Sequence, residues 1–136
     1  EMVQVIDACA LMAYLEKEAG AQKVKELLVK ASEGFNILLM TTVNWGEVFY
    51  VLVRYYGILE AERIQRIVET FPIEFIPVDL ELARQAALYK AVKKLPYADC
   101  FAAGLAKLRR GEIVTADKEF KIIEDEIKVL WIREEK

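Results

Sequence analysis

Apolar residues follow two rhythms that alternate along this chain. Short runs rich in apolar residues recur at Val3 to Ile6, Ile37 to Met40, Ile73 to Ile76, Ile113 with Val114, and Lys128 to Ile132. Runs of this kind form strands covered on both faces. Between them, apolar residues return at spacings of three and four, the rhythm of a helix with one buried face. Leu11, Tyr14 and Leu15 do so after Ala10, and Val24, Leu27, Leu28 and Ala31 do so across Ala21 to Ala31. A helix from about Leu59 to Phe71 turns Ala61, Ile64, Val68 and Phe71 inward and Glu62, Arg63, Arg66 and Glu69 outward. Val48 to Val53 is apolar nearly all round, which predicts a helix buried on more than one side. With Tyr55 and Tyr56 it offers apolar surface for a twin subunit or another partner.

Turn and cap residues punctuate these runs. Ser32 to Phe35 supplies a turn, and Asn44 with Glu47 three residues later has the spacing of a helix-starting capping box. Gly57 stops one helix and Gly111 another. Pro72 and Pro77 bracket the third strand, and Asp79 caps a helix through about Lys93. Pro96 suits a first helical turn, so Asp99 falls within the first turns of that helix. Thr115-Ala116-Asp117 leads from a strand into a short helix containing Phe120, and a charged tail follows the last strand. Alternating strands and helices predict an α/β fold with a parallel sheet covered on both faces. No linker, internal repeat or low-complexity tract interrupts it.

Composition narrows the classes. A chain of 136 residues, 55% of them hydrophobic, predicts a single domain over residues 1–136 that needs no disulfide framework. Cys9 and Cys100 match no zinc spacing, and free thiols are expected of them. No apolar window reaches the length of a membrane-spanning helix, so a cytoplasmic protein is expected. A net charge of −3 argues mildly against a nucleic-acid partner, since such proteins often carry a basic surface. Arg84, Lys90, Lys93, Lys94, Lys107, Arg109 and Arg110 could nevertheless form a local basic strip around Asp99. Asparagine is scarce, Asn36 and Asn44 only, beside abundant Glu, Lys and Arg.

Four acidic residues change the picture. Asp7, Glu47, Asp99 and Asp117 each stand where a strand ends or the following helix begins. In open α/β sheets that edge is where ligands bind. Clustered carboxylates repel and raise one another's pKa, so gathering them favours a cation among them. The chain has no histidine, which removes the commonest general base and the commonest zinc ligand. An oxygen-only site suits Mg2+ or Mn2+ and points to phosphate chemistry. Singly, Glu47 is also explained as a capping-box partner, Asp117 as a helix cap, and Asp99 by the positive end of its helix. Asp7 is harder to dismiss, since it lies between an apolar strand and an apolar helix, where an unpaired charge should be avoided. The chain lacks a glycine-rich phosphate loop, and Cys9 stands where a dehalogenase-type phosphotransferase places its second aspartate.

Four segments carry a family resemblance: Val5-Ile6-Asp7-Ala8-Cys9-Ala10-Leu11, Thr41-Thr42-Val43-Asn44-Trp45-Gly46-Glu47-Val48, Leu95-Pro96-Tyr97-Ala98-Asp99-Cys100-Phe101-Ala102-Ala103, and Ile113-Val114-Thr115-Ala116-Asp117-Lys118-Glu119-Phe120. In order and spacing the chain resembles PIN-domain nucleases, and most of all the VapC-type toxin ribonucleases of toxin–antitoxin pairs. The resemblance implies a three-layer α/β/α sandwich around a central parallel sheet of about five strands. It implies a Mg2+ or Mn2+ site on Asp7, Asp99 and Asp117, with Glu47 completing the acidic cluster and orienting water or binding a second ion. Thr115 matches the hydroxyl residue that steadies the last aspartate, and Cys9 takes a position more often Ser or Thr. The implied activity is hydrolysis of RNA by a metal-activated water, and the implied partners are a small antitoxin and a second copy of the chain. A PIN nuclease of RNA maturation without an antitoxin and a non-catalytic partner-binding module are the alternatives.

Overall fold

The apolar strands assemble as their composition predicts. In a computed structural model describing residues 2–133, five parallel strands form one sheet in the order β3-β2-β1-β4-β5. The strands are β1 (Met2–Ile6), β2 (Asn36–Thr41), β3 (Ile73–Ile76), β4 (Glu112–Thr115) and β5 (Val129–Trp131). The helices are α1 (Ala8–Leu15), α2 (Ala21–Ser32), α3 (Thr42–Tyr56), α4 (Ile58–Val68), α5 (Leu80–Val92) and α6 (Tyr97–Arg109), with a 3-10 helix at Lys118–Ile123. The fold is the expected α/β/α sandwich. Residues 134–136, in the charged tail, lie outside the described residues.

Successive strand residues face opposite sides of a sheet, and here that alternation divides the core. Ile6, Leu38, Met40 and Val114 pack with α1 to α4, whereas Val5, Leu39 and Ile113 pack with α5, α6 and the 3-10 helix. Both faces of the central strands are therefore covered, as a parallel sheet requires. Chain order runs β1, β2, β3 to one edge and then returns to the far side of β1 for β4 and β5. The reversal opens a crevice beyond the carboxyl ends of β1 and β4.

Several local expectations are corrected. Helix α3 buries Val48 and Leu52 but exposes Tyr50, Tyr55 and Tyr56, so within this chain one side of it is covered. The helix enclosed on all sides is α6, where every residue from Asp99 to Ala106 is buried. Small residues at Ala102, Ala103, Gly104 and Ala106 let the sheet, α3 and α5 close around it. Pro96 is the cap of α6 rather than a residue of its first turn. The left-handed residue ending α6 is Arg110, with φ 52°, and not Gly111. Among the described residues no helix is long and apolar enough to cross a membrane.

Gly111 has a different task. A Cβ there would stand 2.6 Å from the Val3 carbonyl oxygen, so glycine lets β4 lie against β1. That contact sets the pairing of Ile6 with Val114 and thereby the placement of Asp7 and Asp117 just beyond. Gly111→Ala is expected to destabilise the fold by about 1–3 kcal/mol through overpacking. A denaturant titration showing wild-type stability would remove this reading.

Candidate metal-binding active site

Each acidic residue is placed by a different element. Asp7 directly follows β1, its backbone N–H donates to the Val114 carbonyl, and it caps α1 by accepting from the Ala10 N–H at 2.8 Å. Asp117 follows β4 and caps the 3-10 helix, accepting from the Glu119 N–H at 3.0 Å. Asp99 lies in the first turn of α6, and Glu47 projects from α3. Asp7 is 2% and Asp99 8% exposed, whereas Glu47 and Asp117 are half-buried.

Three of the carboxyls are raised by their burial and by acidic neighbours. Burial is the main cause that pushes the Asp99 carboxyl up to about 8, reinforced by the charges of Asp117, Asp7, Glu47 and Glu119. Burial likewise pushes Asp7 up to about 7, opposed by its bonds from Thr115 and Ala10 and reinforced by Asp117 and Glu47. Glu47 is raised by burial and by Asp117, against a lowering bond from Asn44. Acids far apart along the chain thus act on one another near the carboxyl edge of the sheet.

Among the described residues none of these four carboxylates is in an ion pair; the ion pairs lie elsewhere. Asp99 Oδ2 is buried and has no hydrogen-bond partner. A buried carboxylate oxygen without a partner is costly, and a hard cation is the partner whose charge also offsets the neighbouring acids. Among the described residues no three acidic or cysteine side chains already form a metal-holding group. Mg2+ commonly keeps several waters and takes one or two direct carboxylates, so a closed protein cage is not required. An oxygen-only donor set with one orphaned oxygen fits such an ion.

Thr115 does more than its expected task. Its hydroxyl donates to Asp7 Oδ2 and accepts from the Asp117 backbone N–H at 2.9 Å. It thus steadies the last aspartate through the backbone and the first through its carboxylate. Asn44 is not the helix cap. Thr41 is, accepting from the Asn44 N–H at 3.0 Å, so Glu47 is not a capping-box partner. Cys9 and Cys100 are free thiols. Burial and the Asp7 charge push the Cys9 thiol up to about 11, so it stays protonated at neutral pH. Glu119 acts on Asp99 and went unrecognised in the sequence, although its place two residues after Asp117 was a usable signal. Of the basic strip, Lys93 is engaged by Glu126 at 2.6 Å and Lys90 by the Leu95 carbonyl at 3.1 Å.

The family model for the PIN domain matches residues 5–126, nearly the whole chain. The chain belongs to the PIN-domain family. This is a family of nucleases, and the segments that carry the four acids all fall inside the match. Solved structures share the PIN fold seen here. One chain of a toxin–antitoxin complex from Klebsiella pneumoniae aligns with a TM-score of 0.74 at 17% identity, covering 97% of this chain and 99% of that one. DNA-bound VapBC from Salmonella typhimurium gives 0.75 at 16% identity, covering 98% and 100%. A sarcin–ricin-loop-cleaving VapC toxin from Mycobacterium tuberculosis gives 0.67 at 14%, covering 87% and 92%. At these identities the likeness establishes the fold. No curated protein matches the chain.

Proposed function

We propose that this PIN domain is a divalent-metal-dependent endoribonuclease of the VapC type, acting in the cytoplasm as the toxin of a toxin–antitoxin pair. What supports the proposal is the buried Asp99 oxygen left without a partner, on a carboxyl raised by Asp117, Asp7 and Glu47 as well as by its own burial. Asp7, Asp99 and Asp117 would hold Mg2+ or Mn2+. When bound, the ion lowers the pKa of water, polarises the scissile phosphate and stabilises the departing oxygen.

The chain's own residues supply orientation. Thr115 and the Ala10 N–H each occupy one Asp7 oxygen, and a carboxylate oxygen so engaged keeps a second lone pair for a ligand. Glu47, on α3, orients water toward the phosphate or takes part in holding a second ion. Water attack on phosphorus that breaks the P–O3′ bond leaves the 3′-oxygen as hydroxyl and the phosphate on the 5′ end. The neighbours' occurrence in toxin–antitoxin complexes supports a small antitoxin as partner. Exposed Tyr50, Tyr55, Tyr56 and Leu59 support a homodimer or antitoxin contact on α3 and α4.

The test combines two measurements. Wild-type protein should cleave RNA with Mg2+ or Mn2+ and stop in chelator, and end-mapping should find 5′-phosphates. Calorimetry should show Mn2+ binding in wild type and its loss in Asp99→Asn. Chelator-resistant cleavage, or 2′,3′-cyclic phosphate ends, would sink the proposal. Growth arrest on bacterial expression that requires Asp7 would support the toxin; harmless expression of an active enzyme would transfer the reading to RNA maturation.

A further inference from the structure

Asn44 is completely buried at the start of α3, yet its side chain bonds to Thr41, Glu47 and the distant Ala98 instead of capping its helix. The Thr41 hydroxyl accepts from the Asn44 backbone N–H at 3.0 Å and donates to Asn44 Oδ1 at 2.6 Å. The amide nitrogen faces the other side. There Nδ2 donates to Glu47 Oε1 and to the Ala98 carbonyl, both at 3.1 Å. Carbonyl and carboxylate oxygens only accept, so each end of the amide is fixed by partner chemistry.

The two bonds from Nδ2 join groups that the fold brings in from different helices. Glu47 is the half-buried acid on α3, and Ala98 immediately precedes Asp99 on α6. A free glutamate side chain samples several rotamers, and fixing it costs entropy. One carboxylate oxygen held by a buried amide lowers that freedom before substrate arrives.

Resting on the nuclease reading above, we infer that Asn44 is a positioning residue: it aims the Glu47 carboxylate into the acidic crevice and ties it to the turn that carries Asp99. Its effect on the reaction passes through Glu47. Groups that orient a metal site's acids from behind commonly change activity by about 10–100-fold when removed.

A double-mutant cycle reads this directly. Asn44→Ala should lower kcat at least about tenfold with little change in KM. Adding Asn44→Ala to Glu47→Ala should cost little more than Glu47→Ala alone. If the two losses multiply, or Asn44→Ala cleaves at the wild-type rate, the inference is wrong while the nuclease reading stands. An activity-independent measurement covers the case in which Asn44→Ala does not fold. In metal-free, 15N-labelled protein with Asn44 intact, both Nδ2 protons should be protected from exchange. Asn36 is the only other asparagine, so selective 15N-asparagine labelling leaves two side-chain amides to assign. Glu47→Ala should shift and deprotect one Nδ2 proton and leave the Ala98-bonded one in place. Unmoved Asn44 signals would overturn the inference. Wild-type protein that fails to cleave RNA, with the Asn44 signals responding, would instead count against the nuclease reading.

Discussion

Asp99→Asn should lower RNA cleavage at least ~100-fold, about 2.7 kcal/mol of barrier, in a protein that folds as well as wild type. The substitution is nearly isosteric and removes one negative charge from a residue that is 8% exposed. Since Asp99 Oδ2 has no hydrogen-bond partner, no existing bond to that atom is lost. Asp7→Asn should be equally inactive but less benign to the fold. Thr115 donates to Asp7 Oδ2 while accepting from the Asp117 N–H. An amide nitrogen at the Oδ2 position would offer that hydroxyl a second donor and leave the Thr115 proton without its acceptor, a loss of about 1–3 kcal/mol. Cleavage assays with circular dichroism and melting curves separate the two. Wild-type turnover in either variant would remove these residues from the chemistry. An Asp99→Asn protein that is inactive because it is unfolded would contradict the reading of Asp99 as a ligand-facing group.

This asymmetry shows what could be read along the chain and what could not. Strand positions were legible because the central runs are apolar on both faces and prolines bracket the edge run: Ile73–Ile76 is a strand as expected, and Asp79 caps α5 with a 2.8 Å bond from the Leu82 N–H. The alignment of acids with strand ends was legible for the same reason, since burial patterns locate where strands finish. The start of α3 was not. Thr41, Thr42 and Asn44 are all acceptable near a helix start, and local rules do not choose among them. The choice comes from pairing of β2 with β3, which runs to Thr41 opposite Ile76, so the helix must begin at once. That leaves the Asn44 side chain free for the Ala98 carbonyl, a partner 54 positions away. The enclosure of α6 was missed similarly: small residues carry a weak hydrophobic signal and reveal their role only when neighbours close in. Glu119 is exposed, and its influence on Asp99 depends on how the 3-10 helix and α6 are placed in space.

Stability of the metal-free protein should fall as pH rises from about 4 to about 8. The unfolded chain releases its aspartate protons near the ordinary value of 3.8, whereas the folded protein holds them to about 7 on Asp7 and about 8 on Asp99. Within that window the native state binds more protons than the unfolded state, so raising the pH favours unfolding. Below the window both states are protonated and the penalty vanishes; above about 8 it is fully present. Each proton retained contributes about 1.4 kcal/mol per pH unit, and the acids titrate as a coupled group, so the slope is set by the cluster and not by one residue. Each kcal/mol shifts the melting temperature by about 3–5 °C for a domain of this size. In chelator, Tm should therefore drop by more than about 5 °C between pH 5 and pH 8. Asp99→Asn should flatten this profile and melt above wild type at pH 8, with little difference at pH 4. Saturating Mn2+ should flatten the wild-type profile too, because a cation among the acids favours their charged forms. A chelated wild-type protein whose Tm is level or rises across this range would show that the buried aspartates do not strain the fold. The case for a cation in the crevice would then lose its electrostatic basis.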